Sequence, residues 1–219
     1  DADCVVQPGW AEAIVRTFES YPDVDVIGGD IAILPTNPGR LSAIEAYESI
    51  YSYRARLYVE RHGYAATGNM AVRASVFRDV GPFGGIGTME DTDWGQRATA
   101  LSYRSMFLPR ARVLTPSCHT FSELSRRWDR HVAHLYAAGK HRRLARIRWV
   151  VDSLVVATSP LIEVLRVLQS TRISGFRGRA LAFSCLTRIR LYRAGLMLRL
   201  AFGDRSGALV ESWNREARP

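Results

Sequence analysis

Apolar residues recur at helical spacing over much of the chain, broken by stretches where they run together. Trp10, Ile14, Val15 and Phe18 share one stripe and predict a helix over 8–21, with Pro8 where a first turn tolerates it. Residues 24–35, VDVIGGDIAILP, are β-branched and glycine-containing and read as a buried strand. Leu41, Ile44, Tyr47, Ile50 and Leu57 predict one long helix over 41–61. A short strand over 65–72, a helix over 75–80, a helix over 89–101 and a strand over 105–114 follow. Ahead of the helix over 89–101 lies GPFGGIG, four glycines in seven positions, which predicts a loop with unusual backbone angles. Strands alternating with helices indicate an α/β layer with a largely parallel sheet.

After Pro116 the pattern changes. Residues 121–138 read as an amphipathic helix. The runs 149–168 and 180–202 are apolar but interrupted by Asp152, Pro160, Glu163, Arg188, Arg190, Arg193 and Arg199. A spanning helix needs about 20 predominantly apolar residues, and neither run qualifies. Both suit helices lying at a membrane interface, with arginines reaching lipid phosphates.

Charge sharpens that division. The 219 residues carry a formal net charge of +9. Thirteen arginines against three acids lie between His141 and Arg205, so the basic excess sits almost wholly in the last third. An anionic partner is implied. Nucleic acid is excluded as that partner, because the arginines are mixed with Leu, Val, Ile and Phe and no aromatic stacking platform accompanies them. Cys4, Cys118 and Cys185 are far apart and form no CxxC pair, which removes a disulfide framework and a structural zinc site and fits a reducing compartment. The chain opens on Asp1-Ala2-Asp3 with neither methionine nor an apolar leader, and is expected to begin in mid-protein.

Four constellations carry candidate chemistry. Asp1 and Asp3, at i and i+2, project to one side of an extended chain and can converge on a hard cation such as Mn²⁺ or Mg²⁺; a solvated acidic terminus or a helix cap fits them too. Glu90, Asp91 and Asp93 open a helix after the glycine-rich loop. Thr88 with Asp91 matches a capping box, yet a cap needs one acid, and a carboxylate here can also take a proton from a hydroxyl. Gly68 permits close backbone approach and Asn69 can hydrogen-bond sugar hydroxyls, with a strand bulge as the plain alternative. His119 is a candidate third metal ligand or a loop histidine. Arg126, Arg127 and Trp128 can grip phosphate and stack on a sugar, or form the polar face of an amphipathic helix.

Taken in order, these pieces resemble the inverting glycosyltransferases of family two, which have the GT-A fold. The match runs from Asp1 to about Arg143. It rests on a DxD followed by Pro-Gly-Trp, then GYAATGNMAVRASVFRDVGPF, then MEDTDWGQRATALSYRSMFLP. The resemblance implies an incomplete, Rossmann-like mixed sheet flanked by helices, followed by a helical membrane-apposed segment. The implied parts are 1–118 as the acceptor-binding half of the catalytic domain, 119–148 as a connector, and 149–219 as a basic tail.

The resemblance also implies roles. Asp3, with Asp1, would hold the metal, and Asp1 would also contact the donor ribose. Glu90-Asp91 corresponds to the acidic acceptor-site pair, with Asp91 as general base. Gly68, Asn69, Asp93, Arg126, Arg127 and Trp128 fall on the donor side. Arg126-Arg127-Trp128 is similar to the Q-x-x-R-W element of processive synthases, but Leu124 stands where Gln is expected, so single-sugar transfer is implied. Expected partners are a nucleotide-sugar donor, a glycan or lipid-linked hydroxyl acceptor from cell-envelope synthesis, and an anionic membrane surface contacted through 149–203. The expected location is the cytoplasmic face of the cell membrane. An inactive scaffold and a basic membrane-surface binder are the competing readings.

Overall fold

Residues 26–34 are buried almost without interruption because they form an interior strand of a four-stranded sheet. The computed structural model describes residues 3–37, 39–84, 89–139 and 145–203. The chain divides into two units, Asp1–Thr36 with Tyr51–Pro116, and Asn37–Ile50 with Ser117–Pro219.

The first unit holds the sheet, with β1 (Val5–Val6), β2 (Val26–Leu34), β3 (Met70–Val72) and β4 (Ser105–Pro116) in the order β1-β4-β2-β3. β2 and β4 run parallel, whereas β1 against β4 and β3 against β2 are antiparallel. The sheet is therefore mixed, as the resemblance implies, and not largely parallel as strand–helix alternation predicts. Alternation registers only the two long strands; β1 and β3 are too short to carry a pattern.

Successive side chains of β2 point to opposite faces and build two cores. Ile27 joins Ile14, Val24 and Ala111, with Trp10 and Phe18 of α1 (Trp10–Ser20) packed against them. Val26 joins Val59 of α3 (Ala55–His62), Val76 and Val80 of α4 (Ala74–Val80), and Trp94 and Ala98 of α5 (Glu90–Ala100).

The β2–β4 ladder is broken once. Gly29 pairs with Leu108, but the next residue, Asp30, pairs with Arg112, so β4 skips three positions. Pro109 lies in the skipped segment and has no N–H to give a ladder. Asn69 repairs the break: its Nδ2 donates to the carbonyls of Asp30 and Ala111, both at 2.8 Å, and its Oδ1 accepts the Trp10 indole N–H at 2.9 Å. Gly29 makes room for this, since a Cβ there would lie 2.2 Å from the Ala111 carbonyl oxygen and 2.3 Å from Asn69 Nδ2. The predicted strand over 65–72 accordingly shortens to β3, preceded by a 3-10 turn at Thr67–Asn69 that delivers the amide.

The long helix predicted over 41–61 is two helices, α2 (Ala43–Tyr51) and α3. The apolar stripe serves two cores: Ala46, Tyr47 and Ile50 fall in the second unit, Ala55 and Val59 in the first. A reciprocal capping box opens α2, with Ser42 Oγ accepting from the Glu45 N–H and the Glu45 carboxylate accepting from the Ser42 N–H.

The second unit also contains α6 (Phe121–Gly139), α7 (Ala145–Thr158), α8 (Pro160–Gln169) and α9 (Gly175–Phe202). Pro160, at the first position of α8, divides the predicted 149–168 run. Val132 and Tyr136 of α6 pack on Leu196, Met197 and Leu200 of α9. This places the stripe of α9 that faces α6 in the core of the second unit. Exposed apolar residues belong instead mainly to α7 and α8. Among the described residues no helix is long and apolar enough to cross a membrane.

Asn69→Ala would take a side-chain donor from two strand carbonyls and the acceptor from an indole N–H in a buried setting. A loss of about 2–4 kcal/mol is expected in urea unfolding, and a loss below about 1 kcal/mol would mean that water replaces the amide.

Candidate active site

The acidic cluster predicted at 90–93 sits on the first turn of α5, whose seating is specific. Trp94 is fully buried, donates its indole N–H to the Gly81 carbonyl at 2.8 Å, and packs among the rings of Phe77 and Phe83. Gly95 lets the helix approach the Gly63–Tyr64 backbone: a Cβ there would lie 2.3 Å from Tyr64 Cβ and 2.6 Å from its Cα. Arg97 donates to the carbonyls of Val80 and Pro82, so the helix grips the start of the glycine-rich loop. The described part of that loop, 81–84, is thus tied to α5; residues 85–88 lie outside the described residues.

Asp91 occupies the second position of α5 and is half-buried. One oxygen, Oδ1, accepts from the Thr92 N–H at 2.7 Å and lies 3.3 Å from the Thr92 hydroxyl. Burial raises the carboxyl above the ordinary aspartate range, and the charge of Glu90 adds to the rise, against the Thr92 hydrogen bonds. Tyr64 stacks on Tyr58 with centroids 5.0 Å apart, and burial, then the nearby Tyr58 and Asp91, push its phenol up to about 12. Glu90 is exposed at the first helical position. Asp93 pairs with Arg97 at 3.1 Å and steadies the arginine that holds the loop. The expected capping box involves Thr88, outside the described residues; the helix's cap position is Met89, which makes no side-chain capping bond, and Asp91 turns to Thr92 instead.

Gly68 and Asn69 lie in the 3-10 turn before β3. Asn69 is 4% exposed, and both its N–H groups are donated across the sheet, so the hydrogen bonds expected for sugar hydroxyls are taken up by the protein itself. Beside it, Asp30 is buried and receives Arg112 Nε at 2.8 Å.

Asp3 precedes β1 and is exposed, offering a hard oxygen donor of the kind that suits Mg²⁺ or Mn²⁺; the Cys4 thiol lies 3.8 Å from its Oδ1. Asp1 lies outside the described residues. Among the described residues no three His, Cys, Asp or Glu side chains gather as a metal cluster.

The remaining predicted residues belong to the second unit. His119 donates its backbone N–H to Glu123 Oε2 at 2.8 Å, at the start of α6. Arg127 pairs with Glu48 of α2 at 2.8 Å, a carboxylate with no exposed surface that also accepts the Cys118 N–H. Trp128 carries the Arg193 guanidinium 3.8 Å over its ring and meets His131 edge-on. Arg126 is exposed on the same helix. Leu124, where the processive motif has Gln, is buried at 1% exposure, a place for an apolar residue.

Sequence reasoning missed Tyr64, Gly95, Arg97 and the Asp30–Arg112 pair. The Asp93–Arg97 spacing of four on a helix was a readable signal. A glycine inside the helical pattern was another. Nothing local joins Asp30 to Arg112.

Comparison with known proteins gives a consistent result. A family model described as Glycosyl transferase family group 2 matches residues 1–202. The chain is also similar to glycosyltransferase AglE of Haloferax volcanii, 33% identical over 108 residues. That alignment covers 49% of this chain and 34% of the relative, so the chain spans about a third of that protein's length. With the family match extending over both units, the chain belongs to glycosyltransferase family 2.

Proposed function

We propose that the protein transfers a single sugar from a nucleotide-sugar donor to a hydroxyl acceptor, with inversion and with Asp91 as general base. One observation carries this reading. A half-buried carboxylate of raised proton affinity is fixed on a helix start by Trp94, Gly95 and Arg97, which also hold the adjoining loop. A stronger base that is still ionised near neutral pH is what proton removal from an alcohol requires. In the displacement the acceptor O–H proton passes to Asp91, the oxygen bonds to the anomeric carbon, and the bond to the diphosphate oxygen breaks with its electron pair leaving on the diphosphate. A Mn²⁺ or Mg²⁺ ion held by Asp3 with Asp1 would supply charge neutralisation to that leaving group. Glu90 keeps the local field negative and so favours the protonated form of Asp91 after transfer.

The acceptor belongs, in this reading, to a glycan or lipid-linked intermediate presented at an anionic membrane surface. Support comes from α7 and α8, where Ile147, Leu154, Val155, Leu161, Ile162 and Leu165 are 58–78% exposed beside the exposed Arg146, Arg148 and Arg166. Apolar side chains flanked by arginines fit a headgroup boundary. The corresponding location is the cytoplasmic face of the membrane.

The full-length native protein should release nucleoside diphosphate from one member of a nucleotide-sugar panel when Mn²⁺ is present. Asp91→Asn should cut turnover by about 10²–10⁴-fold without lowering the melting temperature. Retained turnover in Asp91→Asn sinks the base assignment, and absence of any release favours the scaffold reading. The pH profile gives a separate check. Because burial raises the Asp91 pKa, activity should fall with decreasing pH through a midpoint above the ordinary aspartate value of about 3.9. A limb at or below that value contradicts the reading. Finally, Leu161→Glu with Ile162→Glu should weaken sedimentation with phosphatidylglycerol vesicles by about tenfold or more; unchanged sedimentation removes α8 from the membrane contact.

A further inference from the structure

Helix α9 buries a stripe that includes Leu186, Ile189, Leu196, Met197 and Leu200, and Arg193 sits in the middle of it at 8% exposure. A buried guanidinium loses its hydration and normally recovers it from a carboxylate or other acceptors. Arg193 does not. Its Nε has no hydrogen-bond partner, and it enters no ion pair among the described residues. Glu163, an acid whose charge reaches it, is held by Arg190 at 2.6 Å. Its ring neighbour, Trp128, offers a π face and no lone pair. Burial, and then Arg190, lower its pKa to about 10, so it remains a cation at neutral pH.

Arg193 lines a cavity of about 310 Å³ among α6, α7 and α9. The walls are largely apolar, with Val132, Tyr136, Val156 and Met197 among them. Trp149 lines the same cavity, and its indole N–H is likewise buried without an acceptor. Two unanswered N–H donors, one of them charged, therefore share one space, whose other charged lining is Arg148 and Asp152, paired with each other at 3.9 Å. The size falls at the lower end for small-molecule sites, enough for a headgroup and the start of one chain. The cavity-lining residues of α7, at 145, 148, 149, 152 and 156, alternate along the helix with the exposed apolar Ile147, Val151 and Leu154.

We propose that this cavity binds an amphiphile with an anionic oxygen headgroup. The headgroup oxygens accept from Arg193 and Trp149, and the first part of the chain lies against Val132, Tyr136, Val156 and Met197. The site stands independently of the transfer reaction above.

The test is calorimetric titration of the full chain with monomeric dodecyl phosphate, with an uncharged dodecyl polyglycol ether and inorganic phosphate as separate arms. Dodecyl phosphate should bind about tenfold or more tightly than either. Arg193→Met should lose that preference, keep the affinity for the ether, and melt at a higher temperature, because an uncompensated buried charge has gone. A merely structural arginine would lower the melting temperature instead. Val156→Phe, which fills the cavity, should weaken both amphiphiles, whereas Val15→Glu on the exposed face of α1 should change neither. Equal binding of the two amphiphiles, binding of inorganic phosphate as tight as that of dodecyl phosphate, or undiminished dodecyl phosphate binding by Arg193→Met overturns the proposal. Should Arg193→Met fail to fold, undiminished binding by Val156→Phe does so.

Discussion

The first unit turns on a single carboxamide. Two strands of a parallel pair fall out of register where β4 carries Pro109, with the carbonyls of Asp30 and Ala111 beside the break. Buried carbonyls need donors. Asn69 answers both with its two N–H groups and ties α1 to the same point through Trp10. A glutamine would be one methylene too long, and an aspartate would bring acceptors where donors are needed. Gly29 completes the fit, because any side chain there would occupy the space of the amide.

From that joint the candidate site follows by contact. Asn69 ends the turn that begins β3, β3 leads into α4, and the carbonyls at the end of α4 are gripped by Trp94 and Arg97 of α5. Gly95 brings α5 against Tyr64, so Asp91 lies in a partly dehydrated setting while still reachable. Dehydration is what makes the carboxylate a better base, and the Thr92 hydrogen bonds restrain the shift. The reactivity assigned to Asp91 therefore depends on how closely two pieces of backbone pass, a distance that glycine alone permits.

Much of this was legible beforehand. The boundaries of α1, α4, α5 and α6 lie within two residues of the periodicity reading, because each carries a complete apolar stripe and a glycine, proline or acidic turn at one end. The break between α2 and α3 was not legible: the stripe continues through it, and only the assignment of Ala46, Tyr47 and Ile50 to one core and Val59 to another explains it. The acidic cluster announced itself by excess charge at a helix start. Asn69 was legible as a polar residue in a strand pattern, but its task was hidden, since its partners lie 39 and 42 positions away.

Arginine shows the same limit in the second unit. Composition presents the region after 140 as one basic block, and net charge speaks only to a surface and its field. Burial divides the block. Arg146, Arg148 and Arg166 face solvent beside exposed apolar residues, Arg190 is neutralised by Glu163, and Arg193 occupies a position where the stripe of α9 would take leucine. Solvent reaches the first group, with Asp152 3.9 Å from Arg148 and Glu163 3.9 Å from Arg166, and a carboxylate holds the second at 2.6 Å. Among the described residues, Arg193 has only the Trp128 ring against its guanidinium and keeps a buried Nε–H without an acceptor, so a bound anion finds its donor there and not at its more numerous neighbours.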